Sequence, residues 1–222
     1  RKKSPPSSLA EWSPALRKVD IISLLEESNH DRIPGLIAIR YGRMAQTPFT
    51  FFRGTAVIQA RDLMAAPSSG IFLQACGDCH LMNFGGFATP ERNIVFDIND
   101  FDETFPAPFE WDIKRLAVSI ALCARELDFS KKDSVKAVEA AVDSYTKRLS
   151  EYADMKQMEI WGSTITVDDL MEAFKDNKDM LRRIKRKKEQ AQSRTSEALF
   201  PKLTSVVDGH ARIVDNPPYI FH

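Results

Sequence analysis

The segment from residue 74 to residue 116 constrains this chain most, because acidic and amide side chains recur there between short apolar runs. Asp78 and Asn83 lie five positions apart. Asp100 follows the apolar run 94–96, and Asp112 lies 12 residues later, at the start of an amphipathic segment. The spacing predicts a catalytic loop, a strand end that binds a metal, and an aspartate that braces the loop.

These residue types suit phosphoryl transfer, which needs a carboxylate to orient a hydroxyl and a Mg²⁺ ion held by oxygen ligands. Asp78 is placed to be that carboxylate. Asn83 can offer its side-chain carbonyl to the metal, and Asp100 can offer a carboxylate. Asp97 competes with Asp100, since it also ends an apolar run. All of these donors are hard oxygen atoms, which favour Mg²⁺.

Composition adds weaker limits. The 222 residues include 31 Lys+Arg and 31 Asp+Glu, so the net charge argues neither for nor against nucleic acid. No apolar run reaches the roughly 18 residues of a membrane span. The basic N-terminus has no apolar segment after it, and the three cysteines are an odd number. We therefore expect a cytoplasmic protein that has no membrane partner.

The pattern of elements predicts three regions: a loose Pro/Ser-rich arm at 1–14, a catalytic core at 15–130 and a helical extension at 131–222. In the core, we expect helices at 15–29, from Pro34 and at 55–65 with Thr55 as cap. Strands are expected at 71–76, where the strand is buried, and at 93–98. A helix at 111–127 carries an apolar stripe that predicts core packing. In the extension, helices are expected at 131–157, capped by Ser130, and at 168–198, capped by Asp168 or Asp169.

The loop GDCHLMN resembles the catalytic loop of the protein-kinase-like superfamily, especially its aminoglycoside phosphotransferase and choline kinase branch. The segment NDFDE is similar to the metal-binding segment of those enzymes. The resemblance implies that Asp78 is the catalytic base, that Asn83 and Asp100 hold metal, and that Asp112 is a structural brace. It favours Asp100 over Asp97 because of the spacing to Asp112. It also implies Mg²⁺ and ATP as cofactors.

Four blocks give a closer resemblance, to the mainly bacterial family catalogued as domain of unknown function 2252. They are IRYGRMAQTPFTFFRGTA, CGDCHLMNFG, VFDINDFDET and PFEWDIKRLAVSIAL. The resemblance covers roughly residues 10–130 well and the remainder loosely. Together the two resemblances imply an α+β fold, mostly helical with a small sheet, similar to the C-terminal lobe of a kinase-like enzyme. They imply a phosphotransferase acting on a small hydroxyl compound, although they do not indicate which one.

The nucleotide-binding elements of kinases are missing before Asp78. No segment resembles G-x-G-x-x-G, and Lys18 is the sole lysine between residue 4 and Asp78. The family resemblance implies a Gly-rich stretch with a lysine further downstream. We therefore expect that a longer chain supplies the nucleotide lobe. Arg53, Arg43 or Arg40 are candidate phosphate contacts.

Other interpretations remain open. The acidic residues can be turn and cap residues, and the chain can be a catalytically inactive kinase-like binding module. His80 can orient Asp78, contact phosphate or simply be a loop histidine. Cys76, Cys79 and His80 also spell C-x-x-C-H, the haem c attachment signature, so a haem or redox protein is a remote alternative.

The basic run 182–188 can bind nucleic acid or act as a localisation signal, but a solvated helix face is the favoured interpretation. The partner expected from the sequence is therefore a small molecule of unknown identity, and nucleic acid is the less favoured alternative.

Overall fold

We analysed the chain in a computed structural model, which describes residues 5–9, 20–91, 93–193, 200–201 and 203–215. Most of the predicted arm, and the first five residues of the helix predicted at 15–29, lie outside the described residues. The contacts divide the chain into two units. The first holds the described residues up to Gly85 together with Ile98–Ser163, and the second holds Gly86–Asp97 and the described residues from Thr164 on.

The helices of the first unit are α1 (Ile21–Glu27), α2 (Pro34–Met44), α3 (Pro48–Arg53), α4 (Ala56–Leu63), α5 (Glu110–Glu126), α6 (Lys131–Ala153) and α7 (Gln157–Trp161). Its strands β1 (Phe72–Ala75) and β4 (Phe105–Pro108) pair antiparallel. Strands β2 (Phe84–Ala88) and β3 (Ile94–Ile98) begin or end at the boundary between the units. The second unit adds β5 (Ile165–Thr166), α8 (Val167–Ala173), α9 (Lys178–Ser193), β6 (Thr204–Val207) and β7 (His210–Ile213).

Local sequence explains where the first helices begin. Asp20 caps α1 by accepting bonds from two backbone N–H groups of its first turn, and Pro34 opens α2 as predicted. Thr47 ends the preceding segment and caps α3 through a capping box with Thr50. The predicted cap at Thr55 is wrong in its chemistry, because its hydroxyl donates to the Phe52 carbonyl at 3.0 Å instead.

The core of the first unit is small. Leu24 and Leu25 of α1 pack with Met44 of α2 and Ile58 of α4, and Ile21 and Tyr41 flank them. Each of the four central side chains is buried. This cluster holds α1, α2 and α4 together.

The strand predicted at 71–76 forms as β1, but the prediction that it is buried is wrong. Phe72, Leu73 and Gln74 are exposed, and within β1 Ala75 alone is buried. Its partner β4 was missed, because its sequence FPAP contains two prolines that are atypical of a strand. The pair runs from Phe72 opposite Pro108 to Ala75 opposite Phe105, so that β1 ends immediately before the Asp78 loop.

Helix α5 forms where it was predicted, but its apolar stripe is not its most buried face. Leu127 lies just beyond the helix and is 63% exposed, whereas Arg115 and Ser119 are 2% and 0% exposed. Carboxylates near its two ends also bind other segments: Glu110 accepts from Ser69, and Glu126 accepts from the backbone N–H of Phe49 at 2.8 Å. The inward face of α5 therefore holds polar groups of the neighbouring backbone.

In the second unit, β3 pairs antiparallel with β5, with Val95 opposite Thr166. The predicted cap at Asp168 or Asp169 is wrong by two or three residues. Thr166 caps α8, and Asp169 completes a capping box with it.

Residues 204–213 lie in the region predicted as a helical extension, 131–222, but they form the hairpin of β6 and β7. Asp208 and Gly209 have φ of 53° and 78°, which is typical of a tight hairpin turn.

The coarse class, α+β with small antiparallel sheets, is confirmed. Among the described residues, no helix has both the length and the apolar character needed to cross a membrane.

Candidate active site

The loop between β1 and β2 carries the residues on which the sequence analysis centred. Gly77 has φ of +81°, where a side chain is strained, and a Cβ there would collide with the carbonyl oxygen of Glu103. A short 3₁₀ turn, Leu81–Asn83, then leads into β2. The backbone of this loop is thus shaped by one obligatory glycine and one tight turn.

Asp112, predicted as a structural brace, binds the start of this loop. Its Oδ2 accepts from the backbone N–H of Cys76 at 2.8 Å, and its Oδ1 accepts from that of Gly77 at 3.1 Å. One carboxylate of α5 therefore satisfies two consecutive loop donors. The arrangement is the one that a bracing residue requires.

Arg115 was missed by the sequence analysis, although it makes the most extensive contacts of the site. Its Nε donates to Oδ1 of Asp78 at 2.5 Å. Its Nη1 donates to Gln59 Oε1 and its Nη2 to the Phe52 carbonyl, both at 2.8 Å. The guanidinium also lies 4.4 Å from the centre of the Phe52 ring. Arg115 thus ties α5, α3 and α4 to the loop.

Ser119 completes a polar stripe on α5, which also was not predicted. Its hydroxyl accepts from the backbone N–H of Leu81 at 2.9 Å and donates to the Leu116 carbonyl at 2.7 Å. Asp112, Arg115 and Ser119 follow i, i+3, i+7 spacing, so they share one face of the helix. The signal was present in the sequence as three polar residues at helical spacing beside the apolar stripe of α5.

Asp78 is held next to Arg115 but keeps one oxygen away from it. Its side chain is 19% exposed, and its Oδ2 lies 3.6 Å from Nε2 of His80. Burial raises the pKa of Asp78 to about 6, helped by the charges of Glu103 and Asp100 and opposed by Arg115. At neutral pH the group is therefore mostly ionised, with a basicity suited to accepting a proton.

His80 lies beside Asp78, as either of its proposed roles requires. Burial, Arg115 and Arg53 lower its pKa to about 4, so the imidazole is neutral at pH 7. Its Nδ1 accepts from the backbone N–H of Met82 at 3.1 Å. This bond places the ring proton on Nε2, the atom that faces Asp78.

The three predicted metal ligands lie in different surroundings. Asn83 is buried, and its amide donates to the backbone carbonyl of Asp78 at 2.7 Å. Asp100 is exposed, and its charge raises the pKa of Asp78. The backbone N–H of Asn99 donates to the Asn83 carbonyl at 3.0 Å. Asn83 and Asp100 are therefore brought near Asp78, whereas Asp97 belongs to the second unit.

Oxygen donors near Asp78 fit a Mg²⁺ ion that brings its own phosphate and water ligands, because such ions are usually held by one or two carboxylates. They do not form a closed cage. Within the described ranges, no three His, Cys, Asp or Glu side chains group as a metal site.

The candidate phosphate contacts also differ. Arg40 donates to Asn29 Oδ1 and to the Gly54 carbonyl, both at 2.8 Å, so its guanidinium already stabilises the helical segment. Arg43 is exposed in the last turn of α2. Arg53 is exposed and lies close enough to lower the pKa of His80. Of the three, Arg53 is the arginine whose charge acts on a residue of the Asp78 loop.

The cysteines of the C-x-x-C-H motif, Cys76 and Cys79, are both buried and both are free thiols. A hydrogen bond with Cys76 and burial raise the pKa of the Cys79 thiol, so it is neutral at pH 7. Each of the two cysteine residues is only 5% exposed. This burial gives no structural support to covalent attachment of a porphyrin.

An open, mostly apolar cavity of about 830 Å³ lies among α3, α4 and α5. Phe52 and Gln59 line it, and these two residues also bind Arg115. Asp78 does not line it. The cavity and the Asp78 loop are therefore connected through Arg115.

Comparison with known proteins leaves the substrate undefined, since neither a curated protein nor a solved structure matches the chain. A family model does match, over residues 32–222, and is described as an uncharacterized protein conserved in bacteria, DUF2252. The match includes the Asp78 loop, the acidic strand end and all of α5. On this basis the chain belongs to the DUF2252 family.

Proposed function

We propose that this protein is an ATP- and Mg²⁺-dependent phosphotransferase of the kinase-like superfamily, acting on a small hydroxyl compound, with Asp78 as its catalytic base. The observation that carries the proposal is the state of Asp78. A carboxylate with a pKa raised to about 6 stands in a loop whose backbone and side chain are fixed by Asp112, Arg115 and Ser119. Phosphoryl transfer requires a protein to position the reacting groups, and a carboxylate held in a fixed geometry meets this requirement.

The two oxygens of Asp78 have separate tasks in this proposal. Oδ1 is bound by Arg115, which fixes the orientation of the carboxylate. Oδ2 is left to accept the hydrogen of the substrate hydroxyl, with neutral His80 at its side. Because His80 is uncharged, it does not compete with the substrate by forming a strong ion pair.

In this proposal, Asn83 and Asp100 hold Mg²⁺. When bound, the ion would neutralise charge on the transferred phosphate. Arg53 would contact a phosphate from the exposed side of the loop.

Two features of the described residues bear on where ATP would be held. Arg40 is engaged in structural bonds, and the 830 Å³ cavity is apolar and does not include Asp78. We therefore propose that the nucleotide lobe comes from a longer protein that includes this chain. A cytoplasmic location and a small-molecule substrate belong to the same proposal.

The test is transfer of radiolabelled phosphate from ATP to pooled hydroxyl metabolites, using the protein that carries both lobes. Asp78→Asn should reduce transfer by at least about 100-fold, since general bases contribute roughly 10²–10⁴. Asp143→Asn removes an exposed carboxylate from α6 and is the matched control. Undiminished transfer by the Asp78 variant, with the control also active, would refute the assigned role.

A catalytically inactive binding module is the second candidate. The extensive burial of polar groups around Arg115 favours it, because such a network can serve stability alone. The inactive module predicts that Mg²⁺ and ATP raise the melting temperature while no phosphate is transferred.

The haem alternative has its own test. Absence of a Soret absorbance band in the purified protein would exclude it.

A further inference from the structure

Helix α9 carries a concentration of positive charge that the proposed phosphotransferase does not use. Its 16 residues, KDMLRRIKRKKEQAQS, contain seven Lys or Arg and two acidic residues. The whole chain has 31 of each, so the chain without α9 has a net charge of −5. The chain as a whole is therefore neutral, whereas α9 alone carries a net charge of +5.

These charges lie on one side of the helix. Met180, Leu181 and Ile184 are half-buried, and Lys188 pairs with Asp168 of α8 at 3.0 Å, so this face packs towards α8 within the second unit. The remaining basic residues are exposed: Lys178, Arg182, Arg183, Lys185, Arg186 and Lys187.

Three arginines and one lysine form a single surface groove. Arg182, Arg183, Arg186 and Lys187, with Asp179, line an open space of about 600 Å³. Arg182 and Asp179 form an ion pair of 3.4 Å, but both side chains are 81% exposed, so solvent screens the pair. The other three basic side chains make no ion pair with any residue in the described part of the chain.

We infer that this groove binds the phosphodiester backbone of nucleic acid without reading its sequence. Arginine suits this ligand, because its planar guanidinium binds phosphate oxygens in pairs. The helix has no aromatic residue on which a base could stack, so contact is with the backbone of a duplex. A lipid surface is disfavoured, because the apolar residues that would enter a membrane face the protein.

The experiment measures the anisotropy of a fluorescent 24-base-pair DNA duplex with the full chain, from about 25 to 200 mM salt. The test variant is Arg182→Gln/Arg183→Gln/Arg186→Gln, and glutamine keeps the helix propensity high. The matched control, Lys131→Gln/Lys132→Gln/Lys136→Gln, removes the same charge from exposed positions of α6. Circular dichroism checks that both variants keep their helices.

We expect the α9 variant to bind the duplex at least about tenfold more weakly at 50 mM salt. The slope of log affinity against log salt should fall by about 3, since each phosphate contact contributes roughly 0.9. The α6 control should change neither value. Equal loss in both triple variants would overturn the inference, as would failure of the wild-type chain to bind at 25 mM salt. Tighter binding to phosphatidylserine vesicles or polyglutamate than to the duplex would also overturn it.

Discussion

Arg115 and Asp78 form an ion pair of 2.5 Å in which the arginine is 2% exposed and the carboxylate is 19% exposed. The arginine comes from the second turn of α5, and the aspartate from a loop 37 residues earlier. Because the guanidinium also binds Gln59 and the Phe52 carbonyl, removing it affects three segments at once.

We therefore expect Arg115→Met to lower the free energy of unfolding by about 3–5 kcal/mol, the usual cost of breaking a buried ion pair. Asp78→Asn in the same background should cost less than it does in the wild type, because its partner is already gone. Urea unfolding of the wild type, both single variants and the double variant measures the coupling. Strictly additive effects would contradict the ion pair as a stabilising contact.

The pH dependence of stability should reveal Asp78 and His80 as opposing groups. The pKa of Asp78 is raised to about 6, so the folded state binds more protons between about pH 4 and 6, and stability falls as pH rises. The pKa of His80 is lowered to about 4, so its contribution to stability rises with pH up to about 6.5. Each effect is on the order of 3 kcal/mol.

Asp78→Asn and His80→Gln should therefore change the pH profile in opposite directions. Relative to the wild type, Asp78→Asn should gain stability as pH rises from 4 to 6, whereas His80→Gln should lose it. Chemical denaturation at half-unit pH steps provides the profiles. Differences of the same sign in both variants would contradict the assigned charge states. Glu103, Asp100, Arg115 and Arg53 also act on this pair and remain unchanged in both variants.

Gly77 offers a test of the loop backbone. Its φ of +81° and the nearby Glu103 carbonyl leave no room for a Cβ, so Gly77→Ala should destabilise the protein by at least about 1–3 kcal/mol. Gly42, within α2, has no atom within 4 Å of the same position. Gly42→Ala should stabilise the helix by about 0.5–1 kcal/mol. Thermal unfolding compares the two, and a harmless Gly77→Ala would show that the loop has a different conformation.

Ser119 should matter through one loop donor. Ser119 is fully buried, and Ser119→Ala removes the hydroxyl that accepts from the backbone N–H of Leu81, so the substitution should cost about 1–3 kcal/mol. Ser150, on the exposed face of α6, donates to its own helix at Thr146. Ser150→Ala should change stability by less than about 0.5 kcal/mol. Hydrogen exchange at Leu81 should also accelerate in the Ser119 variant alone.

Much of the site follows from residue spacing, because the pattern concerns neighbours along the chain. The sequence predicted that Asp78, Asn83, Asp100 and Asp112 belong to one loop system, and the structure places these four residues in one unit. It predicted α5 to within a residue, since an amphipathic helix of 17 residues has a strong period. The catalytic and metal-binding roles stay predictions.

What the sequence did not predict depends on contacts between distant segments. From the sequence, Arg115 is expected to be a cation that extends from beside an apolar stripe into solvent. Its burial becomes evident only from its contact with Asp78, a residue of a distant segment. The hairpin at β6 and β7 did carry a local signal, the Asp208-Gly209 turn, which the prediction of a helical extension over 131–222 did not take into account. The exposure of β1 could not be predicted, because it depends on which strand pairs with β1, and among the described strands that partner is the proline-containing β4.

Because Asp112, Arg115 and Ser119 all bind the Asp78 loop, the loop depends on the angular positions of these three residues around α5. Each residue turns an α-helix by about 100°. One residue inserted after Arg115 would therefore carry Ser119 away from Leu81 while leaving Asp112 in place. Substitutions on the outer face of α5 are compatible with the loop, but a change in length between Asp112 and Ser119 is not. Sequences that share this loop should consequently vary in the composition of α5 and keep the distance between these residues constant.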